Sequence, residues 1–420
     1  MSSAPDSKLV PFTRYDAGWV ILCIGMAIGG AMVFMPVQVG MTGLWVFLAA
    51  AAIAYPGVCL FQNFYLETLT KTESAQDYTD IITQYLGKNW AMLLSILYFL
   101  LMLTGMLGYS TGLVRDSASY LQTYGLTTTL LSDTVWWSLL IMMVMVSIAA
   151  QGERLLFKVS GPLVVGKLAI ILALGMVMVP HWNLSNIKPM TSLLPFMRDV
   201  FITIPFTVFS VVFMPILSPM NIAYRRQEPD RLIATYRAFR ASRVAFAILI
   251  VSVLFFAVSF TLSLHHEKAV EAFQNNISAL AIAAQVLPGA VIKAMSTALN
   301  IFALVTAFFA LYLALQEGLQ GICFNLLSRF MPEERISRKI LHRFVALAIA
   351  LGLWGWVQMN AKVLFILHLS APLFGIIACF IPVYLIFKMP SLAYLKGGKA
   401  LYVLIFGIIL TISPLLRLLE

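Results

Sequence analysis

"IGMAIGGAMVFMPVQVG", Ile24 to Gly40, lies in the first long apolar run of the chain and carries Gly25, Gly29, Gly30, Gly40 and Pro36. Hydrocarbon offers a crossing chain no hydrogen-bond partners, so residues that interrupt a helix there need a reason. The Gly29-Gly30-Ala31 step lies about 12–14 residues into its run, roughly 18–21 Å along a helix, near the bilayer midplane. Unwinding at that depth frees amide N–H groups at the start of one half-helix and carbonyls at the end of the other. The first attract an anion, the second a cation. Close helix packing would use the same small residues, so the stretch has to be read with the rest of the chain.

The chain has 420 residues, of which 61% are hydrophobic and 11% charged, and a mean hydropathy of +0.91. Soluble domains hold about 45–50% apolar and about 25% charged residues, so this is a polytopic membrane protein. Apolar runs of crossing length predict eleven helical spans, at 17–38, 44–66, 90–113, 134–151, 157–180, 199–220, 244–264, 290–315, 344–358, 363–387 and 399–417. They divide into a polar N-terminal tail (1–16), five spans (17–180), five more (199–387) and a last one (399–417). No small-residue cleavage site follows the tail, so no removable signal is expected. With the N-terminus in the cytoplasm and the C-terminus outside, 20 of the 28 basic residues fall in inner segments and 7 in outer ones. That is the positive-inside asymmetry. It places the net charge of +10 at inner loops and excludes a nucleic-acid face. The basic stretch 225–243 reads as an amphipathic helix on the inner surface. Four scattered cysteines make neither a disulfide framework nor a metal site.

Five spans after the first break comes "ITIPFTVFSVVFMPILSP", Ile202 to Pro219, with Pro205, Pro215 and Pro219 in an apolar run beside Thr207 and Ser210. Interrupted spans at matching places in two halves point to a transporter's central site. An odd number of spans between them makes the halves inverted repeats. The pattern Gly25-x-x-x-Gly29-Gly30-Ala31-x-x-Phe34-x-Pro36-x-Gln38-x-Gly40 resembles the first helix of the hydroxy and aromatic amino acid permeases. So do Ile204-Pro205-Phe206-Thr207-Val208-Phe209-Ser210 with Pro215-Ile216-x-Ser218, Tyr312 with Glu317-Gly318, and Ser370-x-Pro372-Leu373. The resemblance covers nearly the whole chain and is nearest the serine/threonine branch of this family in the amino acid–polyamine–organocation superfamily. It implies an all-α, leucine-transporter-like five-plus-five inverted repeat with one extra helix and discontinuous first and sixth helices. It also implies secondary active import of a small neutral amino acid across a bacterial inner membrane. Where serine/threonine members are polar after the sixth-helix Phe-Ser, this chain has Val211-Val212-Phe213-Met214, so serine-like and aromatic cargo both stay open.

In that arrangement the amides of Gly29, Gly30 and Ala31, with Thr207 or Ser210, hold a substrate carboxylate. Carbonyls near Ala27 and at Phe206 and Phe209 hold its ammonium, and Met32, Tyr109, Phe206, Phe209 and Phe213 shape the pocket. Two ionisable side chains lie within spans, Lys167 and His368, and intramembrane ionisable groups are functional candidates by default. Lys167 lies about 15 Å deep, too far for easy snorkelling. By similarity to sodium-independent members of the superfamily it would stand in for a sodium ion beside carbonyls near Gly25 and Ile28. His368 has a ring that titrates near neutrality and suits a proton relay. Met26 and Met32 are poor ligands for hard cations, so protons rather than sodium are expected to drive transport, the sodium alternative resting on Thr306 or Ser296. Neither cofactor nor structural metal is expected, and the chain reads as a monomer in lipid. No His-Glu-x-x-His, no Gly-x-Ser-x-Gly and no paired buried carboxylates argue for an enzyme. A transporter-like sensor or a channel are the other classes.

Overall fold

The computed structural model describes residues 10–72, 78–151, 153–190, 192–328, 332 and 337–417; most of the N-terminal tail lies outside them. The chain runs α1 (Arg14–Ala27), α2 (Gly30–Thr42), α3 (Leu44–Lys71), α4 (Tyr78–Leu86), α5 (Lys88–Thr123), α6 (Val135–Ala149), α7 (Glu153–Met178), α8 (Leu193–Phe209) and α9 (Met214–Gln227). There follow α10 (Arg231–Ser263), α11 (His266–Gln274), α12 (Ala279–Val286), α13 (Ala290–Leu327), α14 (Arg338–Gln358), α15 (Val363–Gly375), a π-helical turn (Ile376–Phe380), α16 (Ile381–Lys388) and α17 (Gly398–Arg417). Among the described residues no strand occurs.

Among the described residues nine helical spans are long and apolar enough to cross a membrane, α8 with α9 and α15 with α16 each counting as one, and the pair α1 and α2, bent by 51° at its junction, makes ten. The eleven expected spans differ at 134–151, which is the 15-residue α6. At 1.5 Å per residue α6 covers about 22 Å, short of the ~30 Å hydrocarbon core. Several helices outrun their apolar windows. The basic stretch expected to lie as a separate surface helix is in part the first turns of α10, which continues unbroken from Arg231 to Ser263. Asp230 starts it by accepting the Leu232 N–H at 2.7 Å, and no Gly or Pro interrupts it afterwards.

The broken pair sits inside a shell of longer helices. α1 packs on α10 and α7, and α2 on α8, α11 and α10. α8 lies on α3 and α17, and α5 on α13 and α15. Two buried carboxylates brace the two ends of this assembly. Asp16 closes the capping box of α1 with Thr13. It also accepts from the Tyr224 hydroxyl at 2.8 Å and from Arg240 at 3.0 Å, joining α1 to α9 and α10. Toward the other end Asp116 of α5 accepts from the Ser278 N–H at 2.8 Å and from the Asn300 amide at 2.6 Å, joining α12 and α13. Buried carboxylates persist only where donors fill their lone pairs.

Gly25 is a contact residue in this packing. A Cβ there would lie 2.3 Å from Cγ2 of Val164 on α7. Gly25→Ala is therefore expected to cost about 1–3 kcal/mol through overpacking, read as a lower thermal midpoint in detergent. Val164→Ala in the same background should recover most of it; an unchanged midpoint in Gly25→Ala would refute the close approach.

Candidate functional site

At the first break, Ile28 leaves the helix (φ −77°, ψ 81°) and Gly29 is extended (φ −126°, ψ −161°). The Gly29 N–H turns back to the Ala27 carbonyl at 2.9 Å, and the Met32 N–H reaches the Gly29 carbonyl at 3.2 Å. Each rerouted amide strands a carbonyl that a continuous helix would have served, at Gly25 and at Ile28 respectively. The Gly30 and Ala31 amides open α2, and the Tyr109 hydroxyl of α5 lies against them. Gly30 is what permits this approach, since a Cβ on it would fall 1.9 Å from Cε1 of Tyr109. Pro36 does not break the chain; it is accommodated inside α2. The interruption is two residues wide, at 28–29.

The stranded Ile28 carbonyl has a partner. Lys167 Nζ donates to it at 2.9 Å and to the Thr306 hydroxyl at 3.2 Å, and the lysine is only 2% exposed. Thr306 Oγ1 in turn donates to the Phe302 carbonyl at 2.6 Å, leaving its lone pairs toward the ammonium. A single charge thus ties the break to α7 and α13. Met26 points outward (44% exposed) while Met32 is buried (1%), so the two thioethers do not share a site.

The second break is closed by a residue that the sequence reading passed over. α8 ends at Phe209 and α9 starts at Met214 with Pro215 in its first turn; Pro205 and Pro219 stay within helices. Gln62 of α3, 2% exposed, accepts the Phe213 N–H at 2.9 Å. That amide would otherwise serve the Phe209 carbonyl, which is left to look for another donor. Phe206 keeps its helical partner, the Ser210 N–H at 3.0 Å. The hydroxyls of Thr207 and Ser210 donate to the carbonyls of Thr203 at 3.0 Å and Thr207 at 2.7 Å; toward a ligand they can only accept. The signal for Gln62 was a side-chain amide in an apolar span, which carries no charge and so escapes a search for ionisable groups. Asp116 was missed because α5 continues past the apolar run expected to end at 113.

The aromatic candidates form a layer against α15. Phe206 meets the His368 ring edge-on with centroids 4.8 Å apart, and Phe209 meets Phe374 at 5.4 Å. Phe213 instead packs toward α10, 6.5 Å from Phe246. The buried His368 also has Ser413 of α17 3.5 Å from Nδ1. A 520 Å³ vestibule lies at the other end of α2, between Gln38, Thr42, Asp199, Ile202, Lys362 and Phe365 among others. Gln38 is eight residues beyond Gly30, so the vestibule lies about 12 Å above the amides. Partial burial, then the nearby Arg115 guanidinium, hold the Lys362 pKa below the ordinary lysine range.

Gln62→Leu removes the acceptor of the Phe213 N–H and should cost about 1–3 kcal/mol, read as a lower melting temperature. Gly30→Ala should abolish ligand binding in a thermal-shift or radioligand assay while the fold survives; binding at wild-type affinity in Gly30→Ala would detach the amides from the ligand site.

No family model matches the chain. A probable serine transporter of Escherichia coli (strain K12) is 44% identical over 99% of this chain and 95% of its own. The serine transporter SdaC of the same organism is 25% identical over 97% and 95%. Among solved structures MHP1, a nucleobase-cation-symport-1 family transporter in a closed conformation with bromovinylhydantoin bound, superposes with a TM-score of 0.54 at 15% identity, covering 98% of this chain and 95% of that one. That likeness fixes the leucine-transporter-like fold. These relatives are transporters and not enzymes. A bent first helix, an interrupted sixth and 44% identity across the full length agree, and the chain belongs to the serine/threonine-permease branch of the amino acid–polyamine–organocation superfamily of membrane transporters.

Proposed function

We propose that this chain is a secondary active importer of serine, driven by protons through alternating access in a bacterial inner membrane. Its N-terminus lies in the cytoplasm and its C-terminus in the periplasm, and it works as a monomer. The observation that carries the proposal is the Lys167 ammonium on the Ile28 carbonyl at 2.9 Å, beside amides able to take a carboxylate. The names of the relatives support serine; threonine is the next cargo to test.

Each end of the amino acid has a complement. Its carboxylate takes the Gly30 and Ala31 amides, which lie at the positive end of α2. The Tyr109 hydroxyl gives way or donates to the bound oxygen. The ammonium takes the stranded carbonyl at Phe209. Phe206, Phe209 and Met32 bound the side chain, and a small one suits rings already packed against α15.

Proton coupling follows from what the lysine holds. Charged, the amine donates to Ile28 and Thr306 at once and fixes α1 against α7 and α13. Neutral, it loses a donor and most of its electrostatic pull, and α1 is released from that contact. Closing the site around a substrate thus favours the protonated form, while opening to the cytoplasm favours loss of the proton. A sodium ion at these oxygens would have to displace the ammonium, which disfavours sodium symport. His368, edge-on to Phe206, serves as a packing partner of the pocket wall and a candidate relay.

Proteoliposomes carrying purified protein test this directly. Serine is expected to accumulate under an imposed inward proton gradient and not under a sodium gradient alone. Lys167→Ala should lose accumulation by at least tenfold while serine–serine exchange persists. Full accumulation in Lys167→Ala, or accumulation that follows sodium, would end the proton-coupling proposal.

A further inference from the structure

At the end of the bundle braced by Asp16, a cavity of about 780 Å³ opens between the last turns of α3, the start of α10 and Tyr394. It lies far from the helix breaks, and transport as described above makes no use of it. Its lining includes four cations, Lys71, Arg231, Arg240 and Arg243, against one carboxylate, Glu67. Two of the cations are already engaged. Arg231 donates to the carbonyls of Thr70 at 2.7 Å and Thr72 at 2.8 Å, and Arg240 to Asp16 at 3.0 Å. Glu67 accepts the Tyr394 hydroxyl at 2.6 Å.

Lys71 and Arg243 differ. Lys71 Nζ stands 5.4 Å from the Tyr394 ring centroid and the Arg243 guanidinium 5.8 Å from that of Phe239. Both residues are exposed, and among the described residues neither has an ion pair. The surroundings change character at these two positions. α3 is apolar up to its last turns, ending at Lys71, and α10 turns apolar from Val244 onward. The two helices run antiparallel, with Arg231 on Thr70 and the Arg243 charge reaching Cys59. The trough between them is therefore about twelve residues, roughly 18 Å, long. Lys71 and Arg243 line the same cavity, so a ligand seated in it is shared between the two heads. Aromatic residues, Tyr236 and Tyr394, line it as they line membrane–water interfaces.

We propose that this trough is a binding site for an anionic phospholipid, its phosphodiester held between Lys71 and Arg243 and its acyl chains lying on the apolar surface of α10 beyond Val244. Unpaired cations beside apolar helix surface fit that ligand. A zwitterionic lipid carries its own cation and pairs less well with both heads.

The full-length protein in mild detergent is titrated separately with phosphatidylglycerol, phosphatidylcholine and inorganic phosphate, and bound molecules are counted by native mass spectrometry. Phosphatidylglycerol is expected to be retained about tenfold more than phosphatidylcholine. Lys71→Gln with Arg243→Gln should abolish that preference, while Lys399→Gln, a basic residue outside the trough, keeps it. Lys71→Gln alone, which removes only an exposed head, serves if the double variant does not purify, and should weaken the preference severalfold. Equal retention of both lipids, a preference that survives in Lys71→Gln and in the double variant, or displacement of the lipid by millimolar inorganic phosphate would each overturn the proposal. None of these readouts depends on what the protein transports.

Discussion

A peptide carbonyl stripped of its helical amide inside a membrane must be given another donor, and at Ile28 that donor is the ammonium of Lys167, 2.9 Å away. Each needs the other. A buried lysine without oxygen partners is costly to charge, and a broken helix without a donor leaves a dipole exposed to low dielectric. Thr306 completes the arrangement because its own proton is spent on the Phe302 carbonyl at 2.6 Å, so it can only accept from the amine. Three helices distant in the chain, α1, α7 and α13, are thereby held at one point.

The sixth-helix break is solved in the opposite sense. Here the acceptor is neutral and serves the N–H side: Gln62 takes the Phe213 amide at 2.9 Å and leaves the Phe209 carbonyl without it. The first break has its carbonyl end filled by a cation and keeps the amides of Gly30 and Ala31 at the mouth of α2. The second has its amide end filled and keeps a carbonyl. One break offers positive dipole ends and the other negative ones, which is the polarity of a zwitterion. The asymmetry arises from which neighbour reaches in, a charged α7 side chain or an uncharged α3 one.

Carboxylates buried toward the two ends of the assembly give the breaks a rigid frame. Asp16 binds α1 to α9 and α10 through Tyr224 and Arg240, and Asp116 binds α5 to α12 and α13 through Ser278 and Asn300. Each joins helices separated widely along the chain, so each resists the relative movement of the elements it joins. Asp16 holds the outer end of the half-helix α1, and the turn into α2 is made at residues 28 and 29. The 51° bend is the visible result.

The sequence by itself determined the membrane class, the place of the first break and the intramembrane position of Lys167, because depth along an apolar run and a charge within it are local quantities. It also put a second break in the run after Pro205, although Pro205 and Pro36 remain inside their helices; a proline removes one N–H, and the turn before it can absorb that loss without unwinding. What only the tertiary structure decided is which donor meets which stranded group. Lys167 and Ile28 are 139 residues apart and Gln62 and Phe213 are 151 apart. Asp116, hidden beyond the expected end of its span, finds Asn300 184 residues away. A hydrogen-bond deficit is written in the local residues, but its remedy comes from whichever helix packs against it, and packing is a property of the whole fold.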